Sequence, residues 1–266
     1  TDEDFVLLSR YLSYRGLENE RGPILWLNRA LGGRDIPLPE PFRQRGDGIY
    51  HPLMDRDISL DSYLGRLDPE LPTVGLMFTA NYWIYDNTDH IDALILGLED
   101  LDVNVLPIFF SVQTSKAEGA EGTIDIVRRY MMDGDRPRID ALIINSPFSQ
   151  LMNSREDGGM TARDEENFFK MLLDVPVFQA MTVNGRYVDF EGTAEGLGRA
   201  EISLQVAWPE VDGQIITVPI SEVRDELKAS KQASPLPGRI GHLARLVRNW
   251  AVLRRKPPAE RKIAIL

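Results

Sequence analysis

Two hydrophobic periods alternate through the middle of the chain. Val74-Gly-Leu-Met-Phe-Thr79 is a short, almost continuous apolar run, the pattern of a strand buried on both faces. It gives way to Ile91, Leu94, Ile95 and Leu98 at helical spacing, with Thr88 or Asp89 placed to cap a helix over His90–Asp100. The alternation then repeats. Val103–Phe110 reads as a strand, Gly122–Met132 as a helix and Ile139–Asn145 as a strand. Asp164–Leu173 reads as a helix with Phe168, Met171 and Leu172 inward, and Val175–Ala180 as a strand. Ile215–Ile220 adds a fifth strand, and Ile240, Leu243, Leu246, Val247 and Trp250 form the stripe of a last helix. Strands and helices in strict alternation predict an α/β fold: a flavodoxin-like, mostly parallel sheet with right-handed crossovers and flanking helices.

A different pattern precedes this. Residues 1–31 read as helix: Thr1 and Asp4 resemble a capping start, Phe5, Leu8 and Leu12 share a face, and Gly16 and Gly22-Pro23 break the run before a short helix over Ile24–Leu31. A loop rich in Pro and Gly follows, then a short helix over Ser59–Arg66. The expected organisation is a helical lead-in at 1–70 and an α/β domain at 71–253. At 254–266 we expect a basic, Pro-containing linker and the first strand of a following unit. With no initiator Met and a strand-like Lys262–Leu266 at the end, the sequence reads as an internal piece of a longer chain.

Charge and composition narrow the classes. A formal net charge of −11 argues against a general nucleic-acid binder. The absence of cysteine excludes disulfides, thiolate metal sites and a cysteine nucleophile, and fits a reducing cytoplasm. No apolar run approaches the ~20 residues of a membrane span. The basic stretch from Arg239 to Lys262 reads as a solvated helix face and linker rather than a docking site for an acidic partner.

A doubly wound sheet presents ligand-binding loops at the carboxyl ends of its strands. Those loops are Thr79–Asp89, Ser111–Gly122, Asn145–Thr161 and Ala180–Gly198. No dinucleotide fingerprint, phosphate-binding loop, nucleophile elbow or zinc-protease motif occurs among them. Asp86 and Asp89 are spaced to share a magnesium ion, although solvated loop acids are commoner. Of the three histidines, His242 reads as an ordinary helix residue. His90 opens the first sheet helix, where the helix dipole favours the neutral imidazole that suits a ligand or proton acceptor. His51 leaves a glycine-rich loop. In Trp208-Pro-Glu210-Val-Asp212-Gly213 a proline restricts the approach and Asp-Gly favours a tight turn, which would aim Glu210 into a cleft.

Several segments, in order and spacing, resemble the family of cobaltochelatase CobN and the magnesium-chelatase H subunit. They are Gly48–Pro52, Pro72–Phe78, His90–Leu94 with Val103–Ile108, Pro176–Ala180, Trp208–Ile220 and Trp250–Pro258. The match runs from about residue 46 to the end. The resemblance implies part of a very large subunit that binds a tetrapyrrole and inserts divalent cobalt or magnesium. ATP would be hydrolysed by separate AAA+ ATPase subunits rather than here. It makes Glu210, His90 and His51 the expected proton-accepting and metal-handling groups, and Gln179 and Asp212 the expected macrocycle contacts. Asn81–Asn87 departs from the Tyr-Arg-Ser-rich version of the family. Thr182–Tyr187 lacks the acid-plus-Trp pattern of the magnesium branch, which favours the cobalt branch or a paralogue acting on another macrocycle. Two other readings compete: a non-catalytic tetrapyrrole or small-ligand carrier, and a glycosyltransferase-like protein binding a nucleotide-sugar.

Overall fold

The computed structural model describes residues 1–33, 35–111, 122–149, 173–188, 196–223, 232–262 and 264. At the N-terminus, α1 (Asp2–Tyr14) and α2 (Leu17–Gly32) form an antiparallel pair. Thr1 caps α1 with a full capping box: its hydroxyl accepts from the Asp4 amide, and the Asp4 carboxylate takes the Thr1 donors. The break expected at Gly22-Pro23 is absent, because α2 runs through both residues. Gly22 is needed there for space. A Cβ on it would lie 2.3 Å from the Tyr11 ring, and Tyr11 is fully buried with its hydroxyl donating to the Pro39 carbonyl. Phe5 and Leu12, which share a helical face, are both exposed, since Tyr11 is the residue of α1 that α2 covers.

Seven strands build the main sheet: β1 (Asp47–Ile49), β2 (Thr73–Thr79), β3 (Asn104–Phe110), β6 (Ala141–Asn145), β7 (Val177–Asn184), β8 (Ile216–Val223) and β9 (Ala233–Pro235). They stand side by side in the order β1-β3-β2-β6-β7-β8-β9. A small hairpin of β4 (Met132–Asp133) and β5 (Arg136–Pro137) stands apart. The central five, β3-β2-β6-β7-β8, are parallel, and β1 and β9 add antiparallel edges. Numbered along the chain, the parallel strands follow the order 2-1-3-4-5, the flavodoxin-like arrangement. Its topological switch point lies between β2 and β6. The expected α/β fold is therefore the observed one, with β1 drawn from the segment read as lead-in.

Helices cover both faces. On one, α5 (Asp89–Glu99) and the long C-terminal α9 (Pro237–Arg255) pack on Phe78, Val105, Ile143, Phe178 and Val218. On the other, α3 (Leu60–Leu64) and α6 (Thr123–Met131) pack on Met77, Leu106, Ile144 and Val177. The alternation of each strand divides these two clusters, so neighbouring strand residues belong to opposite faces. The rim segment after β2 holds a short helix, α4 (Ala80–Ile84), where the sequence suggested only loop. Trp83 on α4 is the reason: its ring stacks on Phe109 at 4.3 Å and burial fixes the turn.

The basic C-terminal helix is spent within the fold. Arg248 donates to the Leu101 carbonyl, and Arg255 bonds Asp140 and the carbonyls of Pro69 and Glu70. The helix expected over Asp164–Leu173 falls almost wholly outside the described residues, as does most of the strand expected at 262–266.

Candidate functional site

Strands β6, β7 and β8 run side by side and end on Asn145, Asn184 and Val223, and all three residues line one cleft of about 230 Å³. Tyr82 on α4, Ser146–Phe148 after β6, Thr182, and Ala200, Glu201, Leu204 and Gln205 complete the wall. The cleft begins at the β2/β6 switch point and runs toward β8, the place where doubly wound sheets hold ligands.

The last wall is a helical return built around one proline. It comprises α7 (Arg199–Ile202), a π-helical turn at Ser203–Ala207, and α8 (Trp208–Val211). Pro209 has no N–H for the carbonyl of Gln205 four residues earlier, and its ring crowds that carbonyl, so the helix widens to π geometry there. Trp208, the residue restricted by the following proline, is helical at φ −69° and ψ −44°. The expected turn lies just beyond, where Gly213 adopts φ +84° and its amide bonds the Glu210 carbonyl.

The widened turn presents Gln205 to β7. The ladder between β7 and β8 shifts register between Met181 and Thr182, beside Pro219, which cannot donate. Gln205 takes over both backbone groups of Thr182. Its Oε1 accepts from Thr182 N at 3.2 Å, and its Nε2 donates to Thr182 O at 2.6 Å. The Thr182 hydroxyl turns toward Ser221 Oγ at 2.8 Å and receives the Tyr82 hydroxyl at 3.2 Å.

Beneath Tyr82 lies His90, wholly buried, with the two rings edge to face at 4.5 Å. Its tautomer follows from its neighbour. Asn145 Nδ2 donates to the Ala180 carbonyl at 2.8 Å, so Asn145 Oδ1 is the atom facing His90 Nε2 at 3.4 Å. That oxygen can only accept, so Nε2 carries the proton and Nδ1 is an acceptor with no hydrogen-bond partner among the described residues. Burial pushes the imidazole down to about 4, partly opposed by the Asn145 bond, and His90 is neutral at physiological pH. Phe148 is held at φ +71°, a left-handed conformation that costs a bulky residue about 1–3 kcal/mol. Its amide bonds the Leu204 carbonyl at 2.8 Å and its ring meets Trp208 edge-on. The return is thus pinned across the cleft mouth.

The expected site residues do not converge. His90 supports the cleft from below. His51 lies at the other end of α5, where its Nδ1 accepts from Leu53 N and its Nε2 faces Glu99 Oε1 at 3.1 Å. Residues 90 and 99 are separated by about 13 Å along the helix, which keeps the two imidazoles apart. Glu210 is exposed on α8, about 9 Å along the return from Leu204. Gln179 is buried on the sheet face opposite His90, since Val177 belongs to one cluster and Phe178 and Ala180 to the other. Its Nε2 donates to the Ser146 carbonyl. Asp212 is buried too, accepting from Ser149 Oγ at 2.5 Å and from Gln214. Asp86 pairs with Arg56, and no three His, Asp or Glu side chains among the described residues are grouped to hold a metal. Sequence reasoning passed over Asn145, Thr182, Glu201 and Gln205. A polar residue closing the apolar run Ala141–Ile144 was a readable signal for Asn145; Glu201 offered none.

Comparison with known proteins decides the family. The profile of the CobN/Magnesium Chelatase family matches residues 9–266. The chain belongs to this family. It is 28% identical over 263 residues to the aerobic cobaltochelatase subunit CobN of Pseudomonas aeruginosa, covering 97% of this chain and 20% of that protein. It is 30% identical over 288 residues to the magnesium-chelatase H subunit of Cereibacter sphaeroides, covering 100% and 22%. An uncharacterized protein of Methanocaldococcus jannaschii is 28% identical over 269 residues, covering 97% and 21%. The catalytic subunit of cobaltochelatase from Mycobacterium tuberculosis shares the fold at a TM-score of 0.61 and 20% identity, covering 96% of this chain and 20% of that one. The chain thus spans about a fifth of the length of these relatives. Within this CobN/magnesium chelatase family chain, two of the segments that resemble the family belong to elements that reach the cleft without lining it: Val177–Ala180 begins β7, and Trp208–Ile220 covers α8 and the start of β8. No helix among the described residues is long and apolar enough to cross a membrane.

Proposed function

We propose that this chain is part of the tetrapyrrole-binding large subunit of an ATP-dependent metal chelatase, and that its cleft receives one edge of the macrocycle. Divalent cobalt is the favoured substrate metal, with magnesium the alternative. ATP is hydrolysed by separate AAA+ ATPase subunits. Family membership supports the reaction class, and the cleft at the switch point is the single observation that supports the binding site. Its volume of about 230 Å³ falls below the 300–1,000 Å³ of sites that enclose a drug-sized ligand. In this reading the macrocycle lodges by an edge and the remainder is held by other parts of a subunit of the relatives' length.

Insertion requires two pyrrole protons to leave as the divalent ion enters. Glu210, exposed beyond the cleft wall, is the carboxylate we assign to proton acceptance or metal delivery on the outer side of the ligand. His90 is assigned a positioning role: neutral and buried, it donates to Asn145 and so fixes the amide that closes the cleft floor. His51 and Gln179 enter as supports of the frame, and Asp212 as the anchor of the turn after α8.

Titration with a tetrapyrrole, read as a shift of its main absorption band, tests the binding claim. Wild type is expected to bind saturably. Ala200→Trp, which fills the cleft mouth at an exposed position, is expected to weaken binding about ten-fold or more without lowering the melting temperature. Equal affinity in the two proteins, or no binding by the folded chain, would overturn the assignment.

A further inference from the structure

Where the loop Ser146–Ser149 meets the turn after α8, polar side chains are buried. Ser146, Ser149, Gln179 and Gln214 are each 2% exposed or less, and Asp212 is 5% exposed. At one end of the loop, Gln179 Nε2 donates to the Ser146 carbonyl at 3.0 Å. At the other, Ser149 Oγ donates to Asp212 Oδ1 at 2.5 Å, and Gln214 Nε2 donates to Asp212 Oδ2 at 3.3 Å. Each glutamine is left with an unsatisfied atom on the far side of its amide. Gln179 Oε1 and Gln214 Oε1 are both enclosed and have no hydrogen-bond partner among the described residues. Buried polar atoms in folded proteins are almost always satisfied, by protein, by water or by an ion. Turning the Gln214 amide over does not help. Its oxygen would then face the Asp212 carboxylate, and its nitrogen would be the stranded atom.

The two stranded atoms are both acceptor oxygens, and one belongs to an amide already held against a carboxylate. Oxygens of this kind select a hard cation. A divalent ion calls for more anionic ligands than one carboxylate, and no three His, Asp or Glu side chains among the described residues are grouped to supply them. One carboxylate with amide and hydroxyl oxygens matches the charge of a monovalent ion. We propose that Asp212, Gln214 and Ser149 hold a resident alkali cation, sodium or potassium. Its water ligands supply the donors that Gln179 Oε1 lacks at the Ser146 end of the same loop. This ion stays with the fold and is separate from the divalent substrate. It ties the loop that gives Ser146, Pro147 and Phe148 to the cleft wall onto the turn leading into β8. Alkali ion thus sets how firmly that wall is held, whatever the cleft binds.

Thermal unfolding of the intact chain in sodium or potassium chloride, against choline chloride at the same ionic strength, separates ion binding from screening. At least one of the alkali salts is expected to raise the melting temperature by about 3–5 °C, saturably with concentration. Gln214→Leu and Asp212→Asn destabilise the fold by themselves, so the readout is the gap between alkali and choline salts within each protein. That gap is expected to shrink below about 1 °C in both variants and to persist in Tyr63→Phe, whose lost bond lies elsewhere in the fold. Crystals of the chain soaked in rubidium chloride are expected to show an anomalous peak beside Asp212 and Gln214. Three results would each overturn the proposal: equal melting temperatures in alkali and choline salts, an alkali advantage that survives both substitutions, or no anomalous peak at this junction. Water alone would then satisfy the two amide oxygens.

Discussion

Acid should weaken this fold through His90, by an amount that follows from its burial. In the unfolded chain the imidazole takes a proton as pH falls through its ordinary 6.5; in the folded chain it resists until about 4. The depressed value therefore costs nothing above pH 6.5, where both states are neutral. Between pH 6.5 and 4 the unfolded state binds the extra proton and is favoured, at up to about 1.4 kcal/mol per pH unit and about 3 kcal/mol in all. Below pH 4 this contribution is flat. Carboxylates titrate in the same window, so the comparison must be with a variant that differs only here. His90→Gln keeps a donor for Asn145 Oδ1 and cannot titrate. Urea unfolding of both proteins at steps from pH 7.5 to 4 should show wild type losing about 3 kcal/mol more than the variant. Parallel stability curves, or a native His90 imidazole titrating near 6.5 by NMR, would refute the argument.

Three further substitutions probe the frame. Gln205→Ala strands the N–H and C=O of Thr182 at the register shift and should cost about 2–4 kcal/mol in urea unfolding, with a smaller loss if water reaches both groups. Gly22→Ala drives a Cβ into the anchored Tyr11 ring and should cost about 1–3 kcal/mol, read as faster amide exchange in α1 and α2 while the sheet stays protected. Tyr63→Phe removes the buried bond to the Val105 carbonyl at 2.9 Å and should lower stability by about 1 kcal/mol with no change in tetrapyrrole binding.

The sheet was legible because its signal is local. Apolar runs such as Val74–Phe78 and Val103–Phe110 can be buried only as central strands, and helices between them leave little choice but parallel crossovers. Even the rim was readable: Tyr82, Asn145–Phe148, Thr182 and Asn184 all fall within loops expected to matter. Tertiary contacts set the rest. Phe5 and Leu12 have helical spacing, yet Tyr11 is the residue that finds a partner, because Gly22 opposite it leaves room for a ring. The pairing of Gln205 with Thr182 depends on a missing N–H at Pro209 and another at Pro219, two residues that act together only once the strands are aligned. Glu210 drew attention by its setting in the sequence, whereas Glu201 reaches the cleft by folding alone.

The central claim is that the cleft at the ends of β6, β7 and β8 holds the macrocycle of a chelatase. Its most direct test is the rate of cobalt insertion by a large subunit of the relatives' length that carries this sequence, with its ATPase partners present. Ala200→Trp in that subunit is predicted to reduce insertion about ten-fold or more at limiting tetrapyrrole and to recover as tetrapyrrole is raised. An insertion rate equal to wild type at every tetrapyrrole concentration would contradict it.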